Sequence, residues 1–308
     1  MLEIKNYKTI FDKYEFMSKL DKIKGNEDLI GNMSKVYVLS ERPKGGVPPK
    51  GSADSRCDGG DDDKAAIYYI CKRIRGDKYN ENEWKLTTSI NSKDDRVICF
   101  TDIYHRSKEE SSFHEYYYLI SPFNGEQDFF SYYSDIEFPK DIIPENVLQE
   151  YLLEMALCLK DCHDANIAHL DVKTENFIVT SEKPLKLKLI DFGFSVKLSS
   201  PNDYKRLKKV IGTPFYVAPE IDEHKACYLA SDVFSLGAII IFLTNIFDRS
   251  DDIIFQYKKF KRMKCYSETF KQLVAKLLIK DPRKRITING IIDALNKMKE
   301  KPMIIEIA

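Results

Sequence analysis

The apolar positions of this chain change period partway along it. Between residues 34 and 121 they come as short runs rich in β-branched and aromatic residues: "SKVYVLSE" (34–41), "KAAIYYICKRI" (64–74), "DRVICFTDIY" (95–104) and "FHEYYYLIS" (113–121). Runs of that length and composition predict strands, with a short helix over Asn82 to Ile90 between the second and third. In "PENVLQEYLLEMALCLKDCHDA" (144–165), Val147, Leu148, Tyr151, Leu152, Met155, Ala156 and Leu159 fall at helical spacing, and Pro144 suits a first turn. "FIVTSEKPLKLKLIDFG" (177–193) returns to alternation, with Leu185, Leu187 and Leu189 on one face and Lys186 and Lys188 on the other. That predicts a half-buried hairpin strand. Beyond residue 225 the pattern is helical to the end, so a strand-rich part precedes a mostly helical one, with no internal repeat.

Two stretches stand apart from this pattern. Residues 42–64, "RPKGGVPPKGSADSRCDGGDDDK", have too little apolar content to offset the entropy of ordering them. Strand-like runs flank them, which predicts a flexible insertion and not a domain boundary. The longest uncharged run, "VFSLGAIIIFLTNIF" between Asp232 and Asp248, is short of the roughly 20 apolar residues a bilayer span takes. It reads as a buried core helix.

Composition narrows the function classes. The 308 residues carry 48 Lys plus Arg against 48 Asp plus Glu, without the basic excess of a general nucleic-acid or membrane-surface binder. The seven cysteines (Cys57, Cys71, Cys99, Cys158, Cys162, Cys227, Cys265) are scattered without a C-x-x-C pair, as reduced thiols are. The five histidines do not fall at zinc-ligand spacing beside them. "MLEIKNYKTIFDKYEF" mixes charge and aromatics too evenly for a signal peptide, and Leu2 leaves no glycine to myristoylate. The expectation is a soluble intracellular protein, cytoplasmic or nuclear, with no membrane insertion and no nucleic-acid partner.

The chemistry centres on "HLDVKTENF" (169–177). Asp171 and Asn176 lie five apart, and Asp191 opens "DFGFS" at the end of the alternating strand. A turn gathering the three gives a carboxylate base and two oxygen ligands. Mg²⁺ beside nucleotide phosphates takes such a set, because phosphate and water complete its octahedron. Phosphoryl transfer asks little covalent chemistry of the protein beyond metal, positioning and charge neutralisation.

These residues carry a resemblance to eukaryotic-type protein kinases. "HLDVKTEN" resembles the catalytic-loop pattern H-R-D-L-x-x-x-N, "DFG" the metal-binding motif and "GTPFYVAPE" (212–220) the end of the activation segment, in the family's order. The match spans roughly residues 25–300. The resemblance implies an α+β, bilobal fold: an N-terminal extension over 1–24, a small β-rich lobe over 25–121 holding the insertion, a helical lobe over 122–303 and a tail over 304–308. It implies Mg-ATP as cofactor, with Mn²⁺ as the alternative ion, and protein substrates. Asp171 becomes the base that accepts the substrate hydroxyl proton, Lys173 neutralises the transferring phosphoryl group, and Asn176 and Asp191 ligate the metal. Lys72 in "YICKRI" matches the strand lysine that reaches the α and β phosphates. Its acidic partner is Glu83, with Glu81 second, although Asn80 and Glu83 also have capping-box spacing. His169 packs under the DFG motif, Glu220 pairs with Arg285 of "DPRKRIT", and Asp232 holds the catalytic-loop backbone.

Several positions depart from the family. In "LIGNMSKV" only Gly31 remains of the glycine-rich loop, with Ser34 and Val36 beside it at the nucleotide. Leu170 replaces the arginine that pairs with a phosphorylated activation segment, so activity is expected not to depend on that modification. "YYLISPFNGEQDFFSYY" aligns with the link between lobes and puts Ser121 at the gatekeeper position, small enough to admit bulky purine analogues, with Phe123 among the nucleotide-binding positions. Lys173 and Thr213 match the Ser/Thr-specific pattern. Asp128 and Glu175 match carboxylates that face substrate arginines, but Asp128 also fits a ribose contact or a helix start. Lys205, Arg206, Lys208 and Lys209 make the activation segment basic, either as a solvated loop or as a surface for an acidic or phosphorylated partner. The reading is an active Ser/Thr protein kinase; a pseudokinase that binds nucleotide as a scaffold and a kinase acting on lipids or small molecules are the alternatives.

Overall fold

The computed structural model describes residues 2–19, 34–41, 68–92, 94–110, 114–123, 125, 127–136, 142–244 and 253–300. The insertion expected at 42–64, the tail at 304–308 and Gly31 lie outside the described residues. The fold is α+β and divides into two compact units, Met1–Tyr79 with Cys99–Phe123, and Asn80–Ile98 with Asn124–Ala308.

The first unit is a six-stranded sheet. Its strands are β1 (Ile4–Asn6), β2 (Tyr14–Lys19), β3 (Ser34–Glu41), β4 (Tyr68–Arg75), β5 (Asp102–Arg106) and β6 (Tyr116–Pro122), with a one-turn helix α1 (Ile10–Lys13) between the first two. The order is β1-β5-β6-β4-β3-β2; β1 runs parallel to β5, and the other neighbours are antiparallel. The inward residues Ile10, Tyr14, Leu39, Cys71, Tyr104, Tyr118 and Ile120 form its core. Residues 1–24 were expected outside this unit, yet β1 and β2 are strands of its sheet. The cause is a buried carboxylate: Asp102 on β5 accepts from Lys13 Nζ at 2.8 Å and also from Lys5 and the Tyr14 hydroxyl. Burial works against its charge, but those three donors outweigh it and hold its pKa below the usual carboxylate value.

The run 95–104 is a strand only from Asp102 on. Its first residues belong to the second unit: Ile98 N–H donates to Leu189 O at 2.9 Å, and Leu189 N–H to Arg96 O at 2.8 Å.

The second unit is mainly helical. It contains α2 (Asn82–Thr87), α3 (Phe129–Ser134), α4 (Glu145–Asp164), the strands β7 (Ile167–Ala168), β8 (Phe177–Glu182), β9 (Leu185–Leu189), β10 (Val196–Lys197) and β11 (Lys205–Arg206), then α5 (Pro219–His224), β12 (Ala226–Cys227), α6 (Leu229–Thr244), α7 (Ile253–Arg262), α8 (Glu268–Leu277) and α9 (Ile288–Glu300). The helical stripe of α4 is buried at Leu148, Tyr151, Leu152, Met155, Ala156 and Leu159, with Val147 at its margin and Pro144 at the N-cap. α6 is buried on nearly every side, the burial its uncharged sequence predicts for a core helix. The hairpin β8–β9 forms, but its polar face is not all solvated. Lys188 is 3 % exposed and pairs with Asp95, so the strict alternation over-predicts its exposure. α2 ends at Thr87 and not at Ile90.

Candidate active site

The loop after β7 is fixed from below before it offers anything to a substrate. Asp232 in α6 is fully buried; its Oδ2 accepts from the His169 N–H and its Oδ1 from the Leu170 N–H, both at 2.8 Å. His163 Nε2, at the end of α4, lies 3.0 Å from the same Oδ2. These bonds hold Leu170 at φ 67°, a left-handed conformation that costs a non-glycine residue about 1 kcal/mol. His169 Nε2 meets Ile190 O at 2.9 Å, and its ring stands edge-on to Phe192 with centroids 4.9 Å apart. The scaffold roles expected of His169 and Asp232 are therefore present, and His163 adds a member that the motifs did not flag. Its signal was the α4 stripe itself, which extends past Leu159 to Cys162 and His163.

Asp171 emerges from this base, 8 % exposed. Its Oδ1 accepts from Thr213 Oγ1 at 2.7 Å, while its Oδ2 lies 3.2 Å from Asn176 Nδ2 and 3.3 Å from Lys173 Nζ. Lys173 Nζ also donates to Thr213 Oγ1 at 3.1 Å. Three predicted residues thus meet around the carboxylate of a fourth. Thr213 is delivered there by Gly212, whose φ of 99° and whose closeness to Leu170 O, 2.8 Å from where a Cβ would sit, admit only glycine.

Asn176 donates its amide N–H also to Asp171 O at 2.7 Å, which leaves the amide oxygen as the atom free to meet a cation. Its own carbonyl accepts from Ile190 N–H at 2.9 Å, setting it one residue from Asp191. Asp191 has φ 62° and ψ 74°, and its Oδ1 accepts from the Gly193 N–H at 3.4 Å. A carboxylate and an amide oxygen brought together by the backbone fit a hard divalent ion that carries phosphate and water of its own. Glu83 on α2 is buried beside this turn: a Cβ on Gly193 would stand 3.9 Å from Glu83 Oε2 and 3.3 Å from Asp191 Oδ1. Asn80 Oδ1 accepts from the Asn82 N–H at 3.1 Å where this helix starts. Its side chain reaches across to Gly193 O at 3.0 Å, and Glu81 occupies the N-cap.

The other expected positions are less uniform. Lys72 is half-buried on β4, where its Cα faces Val36 on β3 and Leu119 on β6. Ser34 opens β3, Ser121 is buried on β6, and Phe123 N–H donates to Tyr68 O at 3.0 Å. Asp128 is the N-cap of α3, accepting from Ser131 N–H at 2.8 Å. It is 1 % exposed, and burial raises its pKa, with Glu175 adding to the rise. Of its three readings the helix start is the one with geometry behind it; burial leaves little of the carboxylate for a ribose or an arginine. Glu220 and Arg285 form the implied buried pair, bidentate at 2.8 and 2.9 Å, with Ser231 Oγ 2.7 Å from Glu220 Oε1.

The model described as the protein kinase domain matches residues 51–296. The serine/threonine-protein kinase ULK3 of Xenopus laevis is 32% identical over 156 residues, 47% of this chain and 33% of that protein. The serine/threonine-protein kinase DCLK3 of Homo sapiens is 31% identical over 193 residues, 58% of this chain and 28% of that protein. PSK2 of Saccharomyces cerevisiae, also a serine/threonine-protein kinase by name, is 32% identical over 184 residues, 58% of this chain and 16% of that protein. The aligned part of this chain thus spans about a third or less of these relatives' lengths. No helix among the described residues is long and apolar enough to cross a membrane.

Proposed function

The chain belongs to the protein kinase domain family, and from that premise we propose that it transfers the γ-phosphoryl group of Mg-ATP to serine or threonine hydroxyls of protein substrates. The observation that carries the reading is the cluster of Thr213, Lys173 and Asn176 around Asp171, beside the turn that bears Asp191. A substrate hydroxyl within hydrogen-bond reach of Asp171 gives up its proton to that carboxylate as it attacks. Lys173, within 3.3 Å of Asp171, keeps a positive charge where the transferring group becomes more negative. Thr213 bonds both and holds their spacing. Asn176 and Asp191 are the residues to hold Mg²⁺, which when bound neutralises phosphate charge. Lys72, Val36, Ser34, Gly31, Ser121 and Phe123 are the nucleotide-binding residues by family correspondence, and Glu83 keeps its assignment as the partner of Lys72. The relatives' names support the Ser/Thr class.

The test is phosphorylation of a generic protein substrate with Mg-ATP by the wild type and by Asp191→Ala. Turnover by the wild type that is lost in the variant is expected. Absence of turnover by the wild type, or equal turnover by both, overturns the reading.

A further inference from the structure

The described activation segment gathers more positive charge than the loop's composition alone would place at one spot. β11 pairs antiparallel with β12, and Leu207 N–H donates to Lys225 O at 2.7 Å. This pairing joins Lys205, Arg206, Lys208 and Lys209 to Lys225 from the end of α5, and all five side chains are exposed. None of the five forms an ion pair among the described residues. The acids nearby are engaged elsewhere. Asp203 accepts from Ser199 N–H and Tyr204 N–H in its own turn, which lowers its pKa. Glu223 pairs with Lys280 at 2.7 Å and stands 3.7 Å from His224, and Glu220 is buried against Arg285. Asp222, exposed on α5, is the remaining carboxylate in that stretch. The chain as a whole carries no net charge, so this excess is local.

Its position suits a substrate. Lys209 precedes by four residues Thr213, whose hydroxyl bonds Asp171, so even a fully extended chain puts the two Cα atoms no more than about 14 Å apart. A peptide whose hydroxyl reaches Asp171 therefore has residues a few positions away within reach of Lys209 when its chain runs on that side. Five like charges repel one another until a partner of opposite sign covers them. We propose that this surface selects acidic residues within about four positions of the target hydroxyl, the same reach along an extended substrate. The inference rests on the kinase reading above and runs against a basic preference, for which Asp128 is too buried.

The experiment compares initial rates on three synthetic peptides that share one serine and differ in flanks of Ala/Gly, Glu/Asp or Arg. The acidic peptide is expected to exceed the neutral one in kcat/KM by about tenfold, the size that two or three exposed charge pairs give, and the advantage shrinks as salt rises. Lys208→Glu with Lys209→Glu removes the preference; Lys297→Glu with Lys299→Glu, an equal charge change on α9, leaves it. Equal rates on all three peptides, or a preference for the basic one, overturns the proposal. If no peptide is phosphorylated, binding decides the surface, and the kinase reading fails only if the generic protein substrate is not phosphorylated either. Fluorescence anisotropy of the labelled acidic peptide should then show tighter binding by the wild type than by the Lys208/Lys209 variant; equal binding or none overturns it.

Discussion

Asp232 and Asp171 are two buried carboxylates serving one loop, and their donors differ in kind. Asp232 accepts from the His169 and Leu170 backbone N–H groups and lies against the buried His163, so its partners have no alternative geometry. Asp171 is surrounded by the hydroxyl of Thr213, the ammonium of Lys173 and the amide of Asn176, all side-chain groups. A carboxylate held by backbone donors sets the course of a chain. One held by side chains that can exchange partners can accept a proton and pass it on. The substitutions that separate the two roles are isosteric. Asp171→Asn is expected to cut turnover by about 10³-fold, the scale of a lost general base, while the melting temperature barely moves. Asp232→Asn turns an amide N–H toward a backbone N–H that has no other acceptor, and is expected to cost about 3 kcal/mol of stability. Urea unfolding and steady-state rates on both proteins make the comparison; equal loss of stability in the two would erase it.

Asp102 extends the contrast to the strand-rich unit. Like Asp232 it gathers segments distant in sequence, but its donors are the side chains of Lys5, Lys13 and Tyr14 from the N-terminal residues. It ties those residues to β5, with no catalytic residue among its partners. Asp102→Asn is expected to destabilise this unit by about 2 kcal/mol near neutral pH, below the cost of a fully buried pair because both lysines reach solvent. The sign with pH follows from the depressed pKa. The Asp102 contribution is fully present above the unfolded carboxylate value of about 4 and is lost as pH falls through the lower folded value. The gap between wild type and variant in urea unfolding should therefore narrow at acid pH; a gap that widens there contradicts the assignment.

The difference between these networks also explains what was legible in the sequence. Asp171, Lys173, Asn176 and Asp191 lie in short motifs whose spacing is the geometry, so four residues could be read almost directly. Glu220 with Arg285, and the Asp232 bonds to the loop, came through the same family resemblance. His163, Asn80 and Asp102 did not, because each acts across a long stretch of chain that no local motif records. Asn80 has the residue type and spacing of a cap and does accept from the Asn82 N–H, but its amide also reaches Gly193, 113 positions away. Lys188 misled for the same reason: alternation marks it as solvent-facing, and only the packing of residues 94–98 against β9 buries it beside Asp95. The strands at 4–6 and 14–19 escaped because their partners are supplied by β5 and β3, not by neighbouring sequence.

Leu170 sits where the two roles meet. Its N–H belongs to the Asp232 scaffold, and its side chain, 4 % exposed, joins Leu198, Ala218, Ile221, Leu229 and Phe234 in an apolar cluster. Val196, Leu207, Ile211 and Val217 of the activation segment pack on the same cluster. The segment is thus held by apolar contact at the position where the family's arginine would await a phosphate. Leu170→Arg exchanges that contact for a charge with no acid beside it in the cluster. The loss is expected to be about 1–2 kcal/mol of stability, most of one buried leucine, with turnover falling a few-fold because Gly212 packs against Leu170 O. The wild type treated with phosphatase is expected to keep its activity, since the apolar cluster already packs against the segment. Activity abolished by phosphatase, together with an unchanged melting temperature in Leu170→Arg, would show that the segment is held by charge and not by the apolar cluster.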